Sequence, residues 1–168
     1  LINLFEKSDN KTIGKTRKGI DKTIKDSLDL GINSNEIDNN KIFQSYFDEI
    51  VKCLNLYKDK YKFCNKNVDN WGLEERFNIQ KYKPNQAFHH WHSETSGISS
   101  GKRHLVFMTY LNDVKKGGET EWYYQKLKVK PEKGLTFIWS ADWTFTHKGY
   151  TTINEDKYII TGWYDFKK

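Results

Sequence analysis

Two imidazoles and one carboxylate, His92, Glu94 and His147, with Lys157 ten residues further on, are the side chains of this sequence best suited to chemistry. Such a set holds one face of a ferrous ion and leaves the other face open, as dioxygen and an organic co-substrate require. Residues two apart on a strand point to the same side, so His92 and Glu94 can reach one ion while Ser93 turns away. His147 lies in a different segment, and a rolled or closed sheet can bring it back. Five histidines are present, however (His89, His90, His92, His104 and His147). A lone histidine in a sheet is more often a packed or surface residue than a ligand. His90, His92 and Glu94 also share one face and form a second conceivable triad, with His104 a weaker candidate.

The last strand strengthens the metal reading. By alternation Lys157, Ile159, Thr161 and Trp163 fall on one face, and Tyr158, Ile160 and Tyr164 on the other. A lysine on a face bound for the interior is costly unless it meets an anion. That anion is either an internal Asp or Glu, or the carboxylate of a ligand.

The elements that must position these groups change character along the chain. Apolar residues recur at helical spacing from Thr16 to Leu30 (Ile20, Ile24, Leu28) and from Glu36 to about Tyr61 (Phe43, Phe47, Ile50, Leu54, Tyr57). Two amphipathic helices are expected there, the first ended by Gly31 and the second capped from Asn33, Ser34 and Asn35. After Trp71 the period becomes two. Strands are expected near residues 76–83, 87–94, 102–112, 119–124, 127–130, 135–140, 144–148 and 157–166. Pro84-Asn85, Ser99-Ser100-Gly101, Gly117-Gly118 and Pro131-Glu132-Lys133-Gly134 supply turns between them. Many short strands at this spacing argue for an antiparallel barrel or sandwich. The aromatic stretch from Trp139 to Phe145 reads as core packing, with a pocket wall as the alternative.

With 168 residues and no repeat, linker or low-complexity tract, one domain is expected, residues 1–70 as helical support and 71–168 as β core. Mean hydropathy is −0.86, yet 6 Trp, 10 Tyr and 10 Phe can build an aromatic-rich core. The net charge of +6 is carried mostly by Lys, Arg17, Arg76 and Arg103 being the only arginines. A dispersed lysine excess fits a solvated surface better than a nucleic-acid groove, which draws on Arg. No apolar run reaches the ~20 residues of a membrane helix, and no secretory leader pattern is visible. A chain opening on Leu1 reads as trimmed or processed. Cys53 and Cys64 are too few for a disulfide framework, so free thiols in a reducing cytoplasm are expected.

In order and spacing, a series of motifs over about half the chain resembles the prolyl 4-hydroxylase-like oxygenases that depend on Fe(II) and 2-oxoglutarate. The series comprises Tyr82, His92-Ser93-Glu94, Arg103, Tyr110-Leu111-Asn112-Asp113-Val114, Gly117-Gly118-Glu119-Thr120, Pro131-Glu132-Lys133-Gly134, His147 and Lys157-Tyr158-Ile159-Ile160-Thr161-Gly162-Trp163. The resemblance implies an α+β, mainly β fold: a double-stranded β-helix (jelly-roll) barrel backed by N-terminal helices. It implies that His92, Glu94 and His147 bind iron and that Lys157 holds the distal carboxylate of 2-oxoglutarate. Tyr110 would assist that carboxylate, Thr161 line the same pocket and Tyr82 reach over the co-substrate. Arg103 and Trp163 would lie on the substrate side. Strict alternation places Arg103 opposite Tyr110, so a bulge or strand end is needed between them. Glu94 departs from the family's usual Asp by one methylene.

The activity implied is hydroxylation of an unactivated carbon, coupled to oxidative decarboxylation of 2-oxoglutarate to succinate and carbon dioxide, with O2 consumed and ascorbate as reductant. Peptidyl proline is the leading substrate. A free amino acid or small metabolite is the alternative, and nucleic-acid demethylation ranks third because such enzymes usually anchor 2-oxoglutarate through arginine. A non-catalytic sheet domain binding sugar or peptide, and a cupin-like metal protein using His90, His92 and Glu94, are the competing classes. Oligomeric state is left open.

Overall fold

The structure is a computed structural model that describes residues 1–167. Its elements in chain order are α1 (Ile2–Lys7), β1 (Thr12–Ile13), β2 (Leu28–Ile32), α2 (Lys41–Lys60), β3 (Trp71–Gly72), β4 (Phe77–Tyr82), β5 (Arg103–Tyr110), β6 (Thr120–Trp122), β7 (Leu127–Val129), β8 (Thr136–Ser140), β9 (His147–Gly149) and β10 (Lys157–Phe166). The larger sheet runs β1-β2-β4-β10-β5-β8, with β3 pairing the end of β10; the smaller runs β7-β6-β9. All pairings are antiparallel. This is the mainly β jelly roll expected, but its two sheets do not close into a barrel. They meet through packing, Trp122 of β6 lying 4.9 Å from Phe137 and 5.4 Å from Trp139 of β8.

β10 is the central strand, and its pleat divides the molecule. Tyr158, Ile160 and Tyr164 enter a core with Phe43, Phe47, Ile50 and Leu54 of α2 and with Phe5, Phe77 and Phe107. Phe47 meets Phe77 and Phe107 edge to face at 4.9 and 5.8 Å, an arrangement that adds roughly 0.5–1.5 kcal/mol per pair beyond area burial. The opposite face joins a second apolar layer of Tyr82, Val106, Met108, Tyr110, Trp122 and Trp139.

Several local expectations change. Residues 16–30 form no helix. Thr16 and Gly19 close a tight turn, with Gly19 at φ +110°, and the Asp21 side chain accepts from Thr23 N at 2.9 Å, which diverts the backbone from helix. The chain then extends and β2 pairs with β4, burying Leu30 and Ile32 while Ile20 stays exposed. The second helix starts at Lys41, where the Asn40 side chain accepts from Ile42 N at 2.9 Å; residues 34–36 are a separate 3-10 turn. Residues 87–94 make only isolated bridges, Lys25 with Phe88 and His92 with His147. Of the aromatic stretch from Trp139 to Phe145, Trp139 is buried and lines the cavity, but Trp143 is 64% exposed.

Gly162 continues the core-facing file of β10, and a Cβ there would lie 2.5 Å from the Phe107 ring and 2.8 Å from Phe77 Cβ. Gly162→Ala is therefore expected to destabilise the fold by about 1–3 kcal/mol through overpacking. Urea unfolding checks this, and an unchanged midpoint contradicts the packing described.

Candidate active site

The backbone brings two distant segments together before any ligand does. His92 N donates to His147 O at 2.9 Å and His147 N donates to His92 O at 2.8 Å. Beside that bridge the side chains of His92, Glu94 and His147 offer donor atoms all within 4.8 Å of one another. Each ring is oriented from behind, His92 Nδ1 facing His90 O at 3.0 Å and His147 Nδ1 facing Phe145 O at 2.9 Å. Those carbonyls hold the proton on Nδ1 and leave each Nε2 lone pair directed into the site. Phe88 stacks on His92 at 3.5 Å, and Trp139 packs edge-on against His147 at 5.2 Å.

Glu94 completes the group with its two oxygens in different roles. Oε1 faces His147 Nε2 at 3.5 Å and His92 Nε2 at 3.8 Å. Oε2 accepts from Trp163 Nε1 at 2.9 Å and lies 3.5 Å from Arg103 Nη1. The Arg103 guanidinium sits 3.8 Å over the Trp163 ring and is held from behind by Glu75 Oε2 at 3.0 Å. Burial, with help from the neighbouring His147, pushes His92 down to about 3, so its imidazole is neutral at physiological pH. Burial raises Glu94, but the facing His147 and His92 rings and the charge of Arg103 hold it below the usual carboxylate range. The neutral imidazole of His92 and the ionised carboxylate of Glu94 are protonation states that suit a divalent ion.

Lys157 lies on the same face of β10 as Trp163, lines the same cavity as the donor cluster and is 3% exposed. Its ammonium donates to Gly118 O at 3.0 Å, approaches Tyr150 O at 3.5 Å and lies 4.8 Å from the centroid of the Tyr82 ring. The Gly117-Gly118 turn, with φ near +78° at both residues, presents that carbonyl; a Cβ on Gly117 would collide with Thr151 O at 2.2 Å. Among the described residues Lys157 has no ion-pair partner. Burial lowers it to about 8, and the charge of Glu119 opposes this only in part.

Tyr82 and Thr161 line the cavity with Lys157. The Tyr82 hydroxyl donates to Gln80 Oε1 at 2.7 Å, and the Thr161 hydroxyl to Phe107 O at 3.0 Å. Tyr110 is fully buried, its hydroxyl donating to Thr120 Oγ1 at 2.7 Å, so Thr120 rather than Tyr110 forms the wall there. Arg103 reaches the Glu94 side because the β5–β10 register slips at His104, Arg103 pairing with Asp165 and Leu105 with Tyr164. His90 lines the cavity outside the donor cluster.

The sequence reading missed Lys25, Ser27 and Asp29, which line or back the same cavity. Lys25 Nζ meets Asp29 Oδ2 at 2.5 Å, and Ser27 Oγ donates to Asp29 Oδ1 at 2.7 Å. Their period-two spacing was the available signal, masked by the helical spacing of Ile20, Ile24 and Leu28.

The buried charge of Lys157 has a measurable cost. The unfolded chain keeps this proton up to about pH 10.5 and the folded chain only to about pH 8. Stability therefore rises with pH across that window, and the penalty is complete below it. Lys157→Met is expected to stabilise the ligand-free protein by roughly 1–3 kcal/mol at pH 7. The gain should narrow above pH 8 in urea unfolding; a loss of stability at pH 7 contradicts the account.

Comparison with known proteins follows the same lines. Residues 77–165 match the 2OG-Fe(II) oxygenase superfamily. No curated protein sequence matches the chain. Among solved structures, the 2OG complex of a viral collagen prolyl hydroxylase from Paramecium Bursaria Chlorella virus-1 is similar with TM-score 0.65 and 22% identity, over 85% of this chain and 80% of that one. A prolyl hydroxylase from Trichoplax adhaerens, in complex with a hypoxia inducible factor oxygen degradation domain peptide fragment, has TM-score 0.72 and 16% identity over 98% and 74%. A Pseudomonas putida prolyl-4-hydroxylase has TM-score 0.64 and 15% identity over 93% and 78%. This chain belongs to the 2OG-Fe(II) oxygenase superfamily of 2-oxoglutarate-dependent dioxygenases, and it shares its fold with the prolyl hydroxylases named above.

Proposed function

We propose that His92, Glu94 and His147 hold the iron, that Lys157 anchors the distal carboxylate of 2-oxoglutarate, and that the enzyme hydroxylates proline within a peptide. The observation that carries this is that one cavity is lined both by the donor cluster and by a buried ammonium that has no ion-pair partner among the described residues. Iron, 2-oxoglutarate and dioxygen supply the oxidising chemistry when bound; ascorbate is the expected reductant.

The chain's own residues bind, orient and exclude water. His90 O and Phe145 O fix the two imidazoles, and Trp163 with Arg103 takes one oxygen of Glu94 so that the other faces the ion. This hold accommodates the extra methylene of Glu94 relative to Asp. Lys157 supplies a compact charge for a carboxylate, and Tyr82 and Thr161 shape the pocket wall. Arg103 and Trp163 stand on the substrate side of the metal group. Peptidyl proline is favoured over a free amino acid or small metabolite because the cavity opens widely, its lining reaching the loop of Thr16, Arg17 and Lys18 on one side and Ser96 and Ser99 on another. No helix of the described residues is long and apolar enough to cross a membrane. Cys53 and Cys64 are free, in keeping with a cytoplasmic setting.

Anaerobic addition of Fe(II) and 2-oxoglutarate should produce a weak visible charge-transfer band that His92→Ala abolishes. Lys157→Ala should weaken 2-oxoglutarate binding by one to two orders of magnitude, on the order of 1.5–3 kcal/mol for a charge-assisted contact, and leave iron binding nearly intact. Equal losses of both would count against the anchor. Wild-type 2-oxoglutarate affinity should fall as pH rises above about 8, where Lys157 loses its proton. For the substrate, mass spectrometry of proline peptides after incubation with iron, ascorbate and 2-oxoglutarate should show one added oxygen on proline. Oxygen on another residue, or only on free amino acids, excludes the reading.

A further inference from the structure

Outside the cavity, three separate segments place aromatic side chains in one exposed file. Trp91 precedes His92, Tyr123 and Tyr124 occupy the β6–β7 turn, and Trp143 lies in the turn after β8. Their side-chain contacts are continuous, Trp91 to Tyr123 at 5.2 Å, Tyr123 to Tyr124 at 5.2 Å and Tyr124 to Trp143 at 5.8 Å. All four are exposed, from 38% at Trp91 to 64% at Trp143. A contiguous apolar file on a surface marks an interaction site more often than scattered residues do. Trp91 also lines the active-site cavity, so the file begins where the cavity ends.

We propose that this file is a docking track for the part of the substrate flanking its target residue, and that the segment it takes is an extended, proline-rich peptide carrying an acidic side chain. The inference rests on the peptide-hydroxylase reading above. Ring planes in the file alternate at 83°, 82° and 81°. Perpendicular rings form notches rather than the continuous flat faces on which bases or sugars stack, and aromatic-lined grooves are how polyproline II segments are held. At ~3.1 Å per residue, about five residues of such a helix cover the three steps.

Charge gives the acidic preference. Lys148 Nζ lies 4.6 Å from the Trp91 centroid and 4.7 Å from that of Tyr150, and Lys128 Nζ lies 3.6 Å from Tyr150. Neither ammonium forms an ion pair among the described residues. Glu121, the carboxylate at that spot, accepts the Tyr150 hydroxyl at 2.5 Å. Two ammonium groups converging on one phenol ring leave a place for a substrate carboxylate. The ammonium over Trp91 also occupies a ring face that a stacked base or sugar would need.

The test uses a fluorescent peptide with a glutamate followed by a proline run, titrated into the ligand-free protein, together with turnover of long and minimal proline peptides. Tyr123→Ser with Trp143→Ser should weaken peptide binding about tenfold or more and raise KM for the long peptide. KM for a minimal peptide, uncoupled 2-oxoglutarate turnover and thermal stability should not move. Lys148→Glu should weaken the acidic peptide more than a neutral one. Unchanged binding, absence of binding by the wild type, or loss of oligonucleotide or oligosaccharide binding in place of peptide binding overturns the proposal. Binding along the track without oxygen on proline contradicts the reaction assigned above and leaves the track standing. Proline hydroxylation with unchanged KM in the variants does the reverse.

Discussion

The pleat of β10 is the constraint on which the rest depends. Of its ten residues, Lys157–Thr161 pair with β4 on one side, Ile159–Asp165 with β5 on the other, and Asp165 and Phe166 with β3, so the strand is held on both sides and each side chain is committed to one of two faces. One face, through Tyr158, Ile160 and Tyr164, is clamped by the aromatic core under α2. That anchorage fixes where Lys157 and Trp163 emerge on the other face. A one-residue slip would exchange the faces, sending Lys157 into the aromatic core and Tyr158 into the cavity.

The two ends of that face do different work. Trp163 reaches Glu94, which links the last strand to the donor cluster through a 2.9 Å hydrogen bond and links it onward to Arg103 and Glu75. Lys157 meets only backbone carbonyls and an aromatic ring. A satisfied network at one end and an uncompensated charge at the other is the pattern expected where one group must be rigid and the other must wait for a ligand. Burial, opposed only in part by the charge of Glu119, lowers the proton affinity of Lys157 accordingly.

Much of this was legible in the sequence, and the reasons are local. Alternation along residues 157–166 assigns both faces because the strand is long and regular. The His92–Glu94 pair could be placed on one side from spacing alone, even though residues 87–94 proved to be bridged loop rather than strand. The position of Arg103 required a register slip at His104, which alternation can demand but not locate. Residues 16–30 misled because Ile20, Ile24 and Leu28 happen to repeat at helical spacing, while the pairing of β2 with β4, a tertiary event, decides their form. The burial of Tyr110 behind Thr120 likewise depends on how β6 and β7 close over β5, and no local pattern carries it.

The proposed co-substrate anchor, Lys157, is a buried ammonium with no ion-pair partner among the described residues. Nitrogen chemical-shift titration of the Lys157 side chain, with and without Fe(II) and 2-oxoglutarate under anaerobic conditions, tests it most directly. The account predicts a midpoint near 8 in the ligand-free protein, moving up by more than a unit when 2-oxoglutarate binds. A ligand-free midpoint at the ordinary 10.5, or one that 2-oxoglutarate leaves in place, would contradict it.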